Sequence, residues 1–332
     1  MQRRYHEQNI PVYTEFLLGL PGETYNSFLR GIDQAIEAGL HDQLNIFFCQ
    51  ALPNSEMTDP AYVKQHGIRT QRVELTEFHA TRRKPREVVE FEEIVVATNT
   101  MTISDWKRAA TYAWLIQILH GLKLGFFVLA FLNQRYKVKY SEFCNYLLAE
   151  IDRHDRYCAM TAGLRDQQAY LEDLLSGGRQ CVFLDDYGDI SWSMDEAGYL
   201  KFSEHLELFY AELKILAEGF LKQRGINYDP DLLYQVFVYQ QARVPNYRSP
   251  VANEFEFCFN VPQYFDCFLR DEAIEIMKLP QRLILKNVKD FKNNKAEFAK
   301  QVVWFGRKDK GIIHQAEWEA CQFTHSSCDQ RR

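Results

Sequence analysis

The stretch TEFLLGLPGETYNSF, Thr14 to Phe28, is the key to the chain: an apolar run is cut by Gly-Leu-Pro-Gly-Glu-Thr and resumes as a helix. Residues Pro11 to Gly19, PVYTEFLLG, combine β-branched, aromatic and leucine side chains before a glycine and a proline stop the run, the pattern of a buried parallel strand. Thr24 can cap the helix beyond the turn. From Tyr25 to Ala38, the residues Phe28, Leu29, Ile32, Ala35 and Ile36 recur at three- and four-residue spacing, and Gly39 falls where a helix end favours positive φ. LNIFFCQAL, Leu44 to Leu52, reads as a second strand closed by Pro53-Asn54-Ser55. Residues 12 to 52 therefore predict one β-α-β unit with a right-handed crossover. One such unit is not a fold, because its strand edges need pairing and its apolar faces need covering.

Beyond that unit, 332 residues with 46% hydrophobic content can bury a sizeable core. The 39 basic and 45 acidic side chains leave a net charge of -6, which excludes a general attraction to nucleic acid or to an anionic membrane. Eight scattered cysteines (49, 144, 158, 181, 258, 267, 321 and 328) lack the dense spacing of a small secreted scaffold and predict reduced thiols in a cytoplasmic protein. The opening MQRRYHEQNIPVY leads into no signal-type apolar core. WLIQILHGLKLGFFVLAFL, Trp114 to Leu132, is interrupted by Gln117, His120 and Lys123, leaving an unbroken run too short for a hydrocarbon layer of about 30 Å. A buried helical hairpin is expected there.

After a polar stretch from Asp59 to Arg86, with the basic cluster RRKP at 82 to 85, VVEFEEIVVA predicts a strand over 88 to 97. Helices are expected over 104 to 119, 122 to 134, 140 to 175, 195 to 223 and 293 to 303, and short strands over 180 to 184, 254 to 260 and 282 to 285. Ser193 and Glu196 have the spacing of a capping box. The composition changes near residue 100.

The turn at Gly19 to Thr24 sits where parallel β/α proteins bring backbone close to ligands, although glycine and proline also punctuate ordinary turns. It is not a phosphate loop, because the Lys-Ser/Thr pair is absent. Alternation puts Tyr13, Glu15, Leu17 and Gly19 on one face, so an inward-facing Glu15 needs a partner: a ligand ammonium or hydroxyl, or a salt bridge to another strand. Asn45 and Gln50 on the second strand are weaker candidates of the same kind. Glu23, at a helix start, can act simply through the helix dipole. LDDYGDI, Leu184 to Ile190, lacks the spacing of a calcium loop and reads as a solvated turn. Cys321-x3-His325-x2-Cys328, with His314 nearby, carries metal-binding residue types but lies in a polar tail. No histidine at 41, 66, 79, 120, 154 or 205 has a nucleophile at an interpretable spacing. The stripe Phe202, Leu206, Phe209, Tyr210, Leu213 is expected in the core.

YTEFLLGLPGETYNSFLRGID, followed by IFFCQALPNSEM and VVATNTMTISDWKRA, resembles the later part of the radical S-adenosylmethionine (radical SAM) enzymes, in particular those with an N-terminal cobalamin-binding domain. The match covers about residues 5 to 75, with weaker likeness in the Asp105-Trp106 segment and in VVWFGRK, Val302 to Lys308. The resemblance implies that Pro11 to Gly19 is the fifth strand of a TIM-type β/α barrel and Leu44 to Leu52 the sixth. It puts Glu15, Gly19, Leu20, Pro21, Gly22, Glu23 and Asn45 on the side that binds S-adenosylmethionine. The family holds an iron–sulfur [4Fe-4S] cluster on a C-x3-C-x2-C triad, which this sequence lacks. The expectation is therefore an α/β segment, an incomplete β/α barrel with about two parallel strands, followed by a larger mainly α-helical domain with a few short strands. The expected domains are residues 1 to 80, a connecting strand over 81 to 100, and residues 101 to 332. The resemblance implies S-adenosylmethionine, a [4Fe-4S] cluster and cobalamin in the parent enzyme, with none expected to bind this chain alone. The chain then reads as a truncated or split C-terminal portion whose cluster-bearing barrel half is a separate chain, or else as a misplaced start. Its substrate is unknown, no nucleic-acid or membrane partner is expected, and neither a catalytic residue nor a metal ligand is assigned. A non-catalytic binding protein derived from such an enzyme is the alternative; an unrelated enzyme centred on the helical part finds no nucleophile–base pair.

Overall fold

The computed structural model describes residues 13–84, 87–154, 156–248, 252–308 and 312–321, and divides into two compact units. The first joins Val12–Leu122 to Lys139–Glu212; the second contains Lys123–Val138 and the chain from Leu213 onward.

In the first unit, β1 (Tyr13–Leu18) runs parallel to β2 (Gln43–Phe48), with α1 (Tyr25–Glu37) as the crossover. The expected β-α-β unit is present. Thr24 and Ser27 cap α1 reciprocally: the Ser27 N–H donates to Thr24 Oγ1 (3.1 Å) and the Thr24 N–H to Ser27 Oγ (2.8 Å). Phe28, Leu29, Ile32 and Ile36 form its buried face. Past β2 the backbone turns to a new partner, with Val95 N–H donating to Cys49 O and Ala51 N–H to Glu93 O, both at 2.8 Å. These bonds join the β2 extension to β4 (Phe91–Ala97), which pairs antiparallel with β3 (Arg69–Glu74). The segment expected to be a polar stretch thus holds β3 and also α2 (Pro60–His66), capped by Asp59 through the Ala61 and Tyr62 amides.

Helix α3 (Ile103–Ile116) starts at Thr102, whose hydroxyl accepts the Asp105 N–H (3.1 Å), and ends in a π-turn over Gln117–Gly121. Every residue from Tyr112 to Leu132 is buried, and among the described residues no helix is long and apolar enough to cross a membrane. The chain leaves this unit for α4 (Phe126–Tyr136) and returns with α5 (Tyr140–Arg153) and α6 (Cys158–Leu175), so the single helix expected over 140 to 175 is two. A two-residue hairpin, β5 (Val182–Phe183) with β6 (Ser191–Trp192), precedes α7 (Met194–Glu204); α8 (Leu206–Gln223) comes after a break at His205.

In the second unit, α4 packs on α9 (Pro230–Arg243), which Asp229 caps through the Asp231 and Leu232 amides. Gln240, fully buried, accepts the Phe127 N–H (2.7 Å) and donates to the Lys123 carbonyl (2.8 Å), satisfying backbone groups around the start of α4. The rings of Phe127, Tyr239 and Phe265 lie 4.9 Å apart, with Tyr239 stacked on Phe265. Strands β7 (Glu254–Phe257), β8 (Gln281–Lys286) and β9 (Gln315–Ala320) form an antiparallel sheet in that order, with α10 (Val261–Leu269) between β7 and β8, and α11 (Lys295–Phe298) leading into a second π-turn over Ala299–Phe305. Among the described cysteines, 49, 144, 158, 181, 267 and 321 are free thiols, whereas Cys258 is disulfide-bonded, a departure from the expectation that all eight are reduced.

His314 leads into β9. Its N–H donates to the Arg243 carbonyl (2.7 Å) and its own carbonyl accepts Arg243 Nε (2.8 Å). Burial, reinforced by the Arg243 guanidinium, pushes the imidazole from its ordinary 6.5 down to about 4. Because the folded value lies below the unfolded one, the unfolded chain takes up the proton first. Stability is therefore full above about pH 6.5 and declines as pH falls toward about 4, by roughly 3 kcal/mol at most. The melting temperature of the second unit is expected to drop across that window, and His314→Gln should flatten the slope; an unchanged acid limb in the variant would count against this origin.

Candidate functional site

β1 and β2 present one face to the outside. The register sets Tyr13 against Gln43, Glu15 against Asn45 and Leu17 against Phe47, and on this face Tyr13 is 65%, Leu17 44% and Phe47 38% exposed. Thr14, Phe16 and Leu18 point the other way, toward the packed interior. Such a mixed apolar and polar face left open is unusual for a two-stranded sheet, which has little stability of its own. Glu15 is exposed, directly across from the half-buried Asn45. At the carboxyl end of β1, the Leu18 carbonyl accepts the Cys49 N–H (2.8 Å) and the chain enters the turn.

Gly19 has φ +110°, and a Cβ built there would stand 2.8 Å from the Val95 carbonyl oxygen of β4. Gly22 has φ +88° with open space around it. Pro21 and Gly22 occupy the middle of a turn closed by Glu23 N–H to Leu20 O (3.2 Å), the order expected when the third turn residue takes positive φ. Leu20 is exposed, and the Glu23 carbonyl accepts the Thr100 hydroxyl (2.8 Å). Burial raises the Glu23 carboxyl above its usual range, opposed by a hydrogen bond from Ser27 Oγ (3.4 Å). Of the residues expected on the cofactor side, Glu15, Asn45 and Leu20 are thus accessible. Gly19 packs against β4 and shapes the backbone.

The other edge of β2 is covered by a helix. Gln117 Oε1, from the π-turn after α3, accepts the Ile46 N–H (2.7 Å), and Gly121 allows that turn to approach the Leu44 carbonyl, which a Cβ would meet at 3.0 Å. Gln50 bonds Glu92, whose carboxylate also accepts Gln180, so it belongs to a side-chain bridge rather than to the open face. Burial raises the Glu92 carboxyl.

Asp185 and Asp189 of the LDDYGDI turn are exposed and both face Arg82. His79 and Glu196 meet at 3.0 Å beside Trp192, and Glu196 also accepts the Ser193 N–H (3.3 Å). Phe202, Leu206, Phe209, Tyr210 and Leu213 are all buried. Of the tail motif, Cys321 donates its N–H to Pro280 O (3.0 Å), while His325 and Cys328 lie outside the described residues. Among the described residues no three His, Cys, Asp or Glu side chains converge in a way that could hold a metal ion.

No known protein-family profile matches the chain. It is similar to methyltransferases of the cobalamin-dependent radical SAM class. One relative is the cobalamin-dependent radical SAM methyltransferase TokK of Streptomyces tokunonensis, 28% identical over 290 residues, which are 80% of this chain and 40% of the relative. Another is the 2-(S-pantetheinyl)-carbapenam-3-carboxylate methyltransferase of Streptantibioticus cattleyicolor, 28% identical over 282 residues with the same coverage. The chain spans about 40% of the length of these relatives.

Proposed function

We propose that this chain forms the cosubstrate-facing side of a cobalamin-dependent radical SAM methyltransferase together with a helical cover for its substrate. The observation that carries the reading is the open face of β1 and β2, with Glu15 and Asn45 side by side and Tyr13, Leu17 and Phe47 exposed around them. A carboxylate beside an amide suits the ammonium and ribose hydroxyls of S-adenosylmethionine, and the flanking apolar groups suit burial by further barrel strands. The described thiols and carboxylates do not fit an iron–sulfur cluster: they do not converge, and the sequence has no C-x3-C-x2-C. In this reading the cluster and the cobalamin are held by residues other than these, in an N-terminal barrel half, and supply the radical and the methyl group when bound. This chain's groups orient the cosubstrate and exclude water. The relatives' names make methyl transfer to a small molecule the favoured reaction.

A second reading, a non-catalytic binding protein on the same scaffold, is favoured by the completeness with which Gln117 and the π-turn seal β2. Isolation of the native protein through a C-terminal tag separates the two. The enzyme reading expects this sequence to be recovered joined to, or in stoichiometric complex with, a segment carrying C-x3-C-x2-C; recovery of the chain with no such segment overturns it. In the assembled enzyme, Glu15→Ala should weaken S-adenosylmethionine binding about tenfold or more, the loss expected for one charge-assisted hydrogen bond, without altering the melting temperature.

A further inference from the structure

In the first unit, α6, α7 and the chain entering β5 line an open cavity of about 340 Å³, within the range of small-molecule sites. Part of its wall is apolar. Val182, Phe183, Leu184 and Met194 stand there, all partly exposed. Trp114 adds an indole held in place: its Nε1 donates to the Met194 carbonyl (3.2 Å), and a Cβ on Gly198 would stand 2.8 Å from that nitrogen.

Four charged side chains complete the wall: Asp166, Asp173, Arg179 and Lys201. Two of them neutralise each other, with Lys201 Nζ 2.6 Å from Asp166 Oδ2. The other two are not joined by an ion pair. Asp173 is exposed, and its carboxylate has no hydrogen bond or ion pair among the described residues; it lies against Gly178, in space that a Cβ would fill. Arg179 is the next residue, with its side chain 42% exposed. Its guanidinium reaches Glu74 only at 3.4 Å, whereas Arg83 holds the same carboxylate at 3.0 Å, so most of its five N–H donors are left for another acceptor. The backbone that carries the pair is fixed: the Gly178 N–H donates to the Asp173 carbonyl and the Gly178 carbonyl accepts the Glu74 N–H, both at 2.9 Å. Of the remaining polar groups on the wall, the Tyr170 hydroxyl donates to the Gln180 carbonyl (3.2 Å) and the Cys181 thiol is buried.

We propose that this cavity binds a zwitterionic α-amino acid with an apolar side chain, its carboxylate on Arg179, its ammonium on Asp173 and its side chain against Phe183, Leu184 and Met194. A guanidinium matches a carboxylate through two parallel N–H bonds, and a carboxylate free of other bonds accepts an ammonium. A ligand with one charge gains less, because the group that attracts it stands beside one that repels it. Both protein groups are in contact with solvent, so the signature is a ratio between ligands rather than high affinity. The inference goes beyond the methyltransferase reading, since it uses neither cosubstrate nor cluster, and the full chain alone suffices to test it.

The probes are L-phenylalanine, 3-phenylpropanoate, which lacks the ammonium, and 2-phenylethylammonium, which lacks the carboxylate. In saturation-transfer NMR titrations, L-phenylalanine is expected to bind about fivefold more tightly than either analogue. Asp173→Asn should erase its advantage over 3-phenylpropanoate and keep that over 2-phenylethylammonium; Arg179→Gln should do the reverse. Should the arginine variant not fold, Asp173→Asn decides alone, because the carboxylate it replaces holds no other described group. Binding of none of the probes, L-phenylalanine binding no better than its analogues, or preferences unmoved in the folded variants would overturn the proposal. Any of these failures would leave the methyltransferase reading untouched, as that is tested on Glu15 in the assembled enzyme.

Discussion

Gly19→Val is expected to prevent the first unit from folding, and Gly19→Ala to destabilise it by about 3 to 5 kcal/mol, the range reserved for substitutions with a named steric cause. Two effects combine. At φ +110° the backbone lies where a side chain is strained by roughly 1 to 3 kcal/mol. The new Cβ would also meet the Val95 carbonyl at 2.8 Å, and that carbonyl cannot move freely because the Val95 N–H is bonded to Cys49 O (2.8 Å), whose own N–H is bonded to Leu18 O (2.8 Å). Gly22 is the internal control. It shares the positive φ, at +88°, but has no atom within 4 Å of the added Cβ, so Gly22→Ala should lose only about 1 to 2 kcal/mol. Urea unfolding of the three variants checks this ordering, and equal losses at Gly19 and Gly22 would refute the contact with β4.

Glu212→Ala is the second large effect, with an expected loss of about 2 to 4 kcal/mol. Helix α6 begins after Tyr157, whose side chain provides no cap. Its first amides are satisfied instead from α8: Glu212, 4% exposed, accepts the Ala159 N–H at 3.1 Å and the Met160 N–H at 3.0 Å. Removing the carboxylate leaves two buried donors unpaired and removes a negative charge from the positive end of an 18-residue helix. Glu212→Gln keeps an acceptor and should lose about half as much. Hydrogen exchange at Ala159 and Met160 gives a local readout; protection unchanged in Glu212→Ala would show that the cap contributes little.

Local signals made much of the first unit legible. Thr24 and the spacing from Phe28 to Ile36 define α1, and the alternation from Tyr13 to Leu18 separates the two faces of β1, but it was the packing that left the face of Tyr13, Glu15 and Leu17 exposed where a buried strand is expected from the sequence. Two other local signals mark elements that apolar periodicity alone does not reveal: Asp59-Pro60 opens α2 and Asp229-Pro230 opens α9, each pairing a capping carboxylate with a proline at the first helical position. The breaks near His154 and His205 have no comparable mark, since helical periodicity continues through both.

Helix α1, the turn after β1 and the caps on α1, α2 and α9 are written into the chain itself, because each depends on residues close together in sequence. What closes β2 and what satisfies the starts of α4, α5 and α6 were settled only when distant segments packed together. Lys139 and Tyr157 cannot cap their own helices with a side-chain oxygen suited to the task. The Ser141 amide goes to Asp33, 108 residues away, the Phe127 amide to Gln240, 113 away, and the Ala159 amide to Glu212, 53 away. Buried backbone donors must find an acceptor, but nothing in a local window says which distant side chain supplies it.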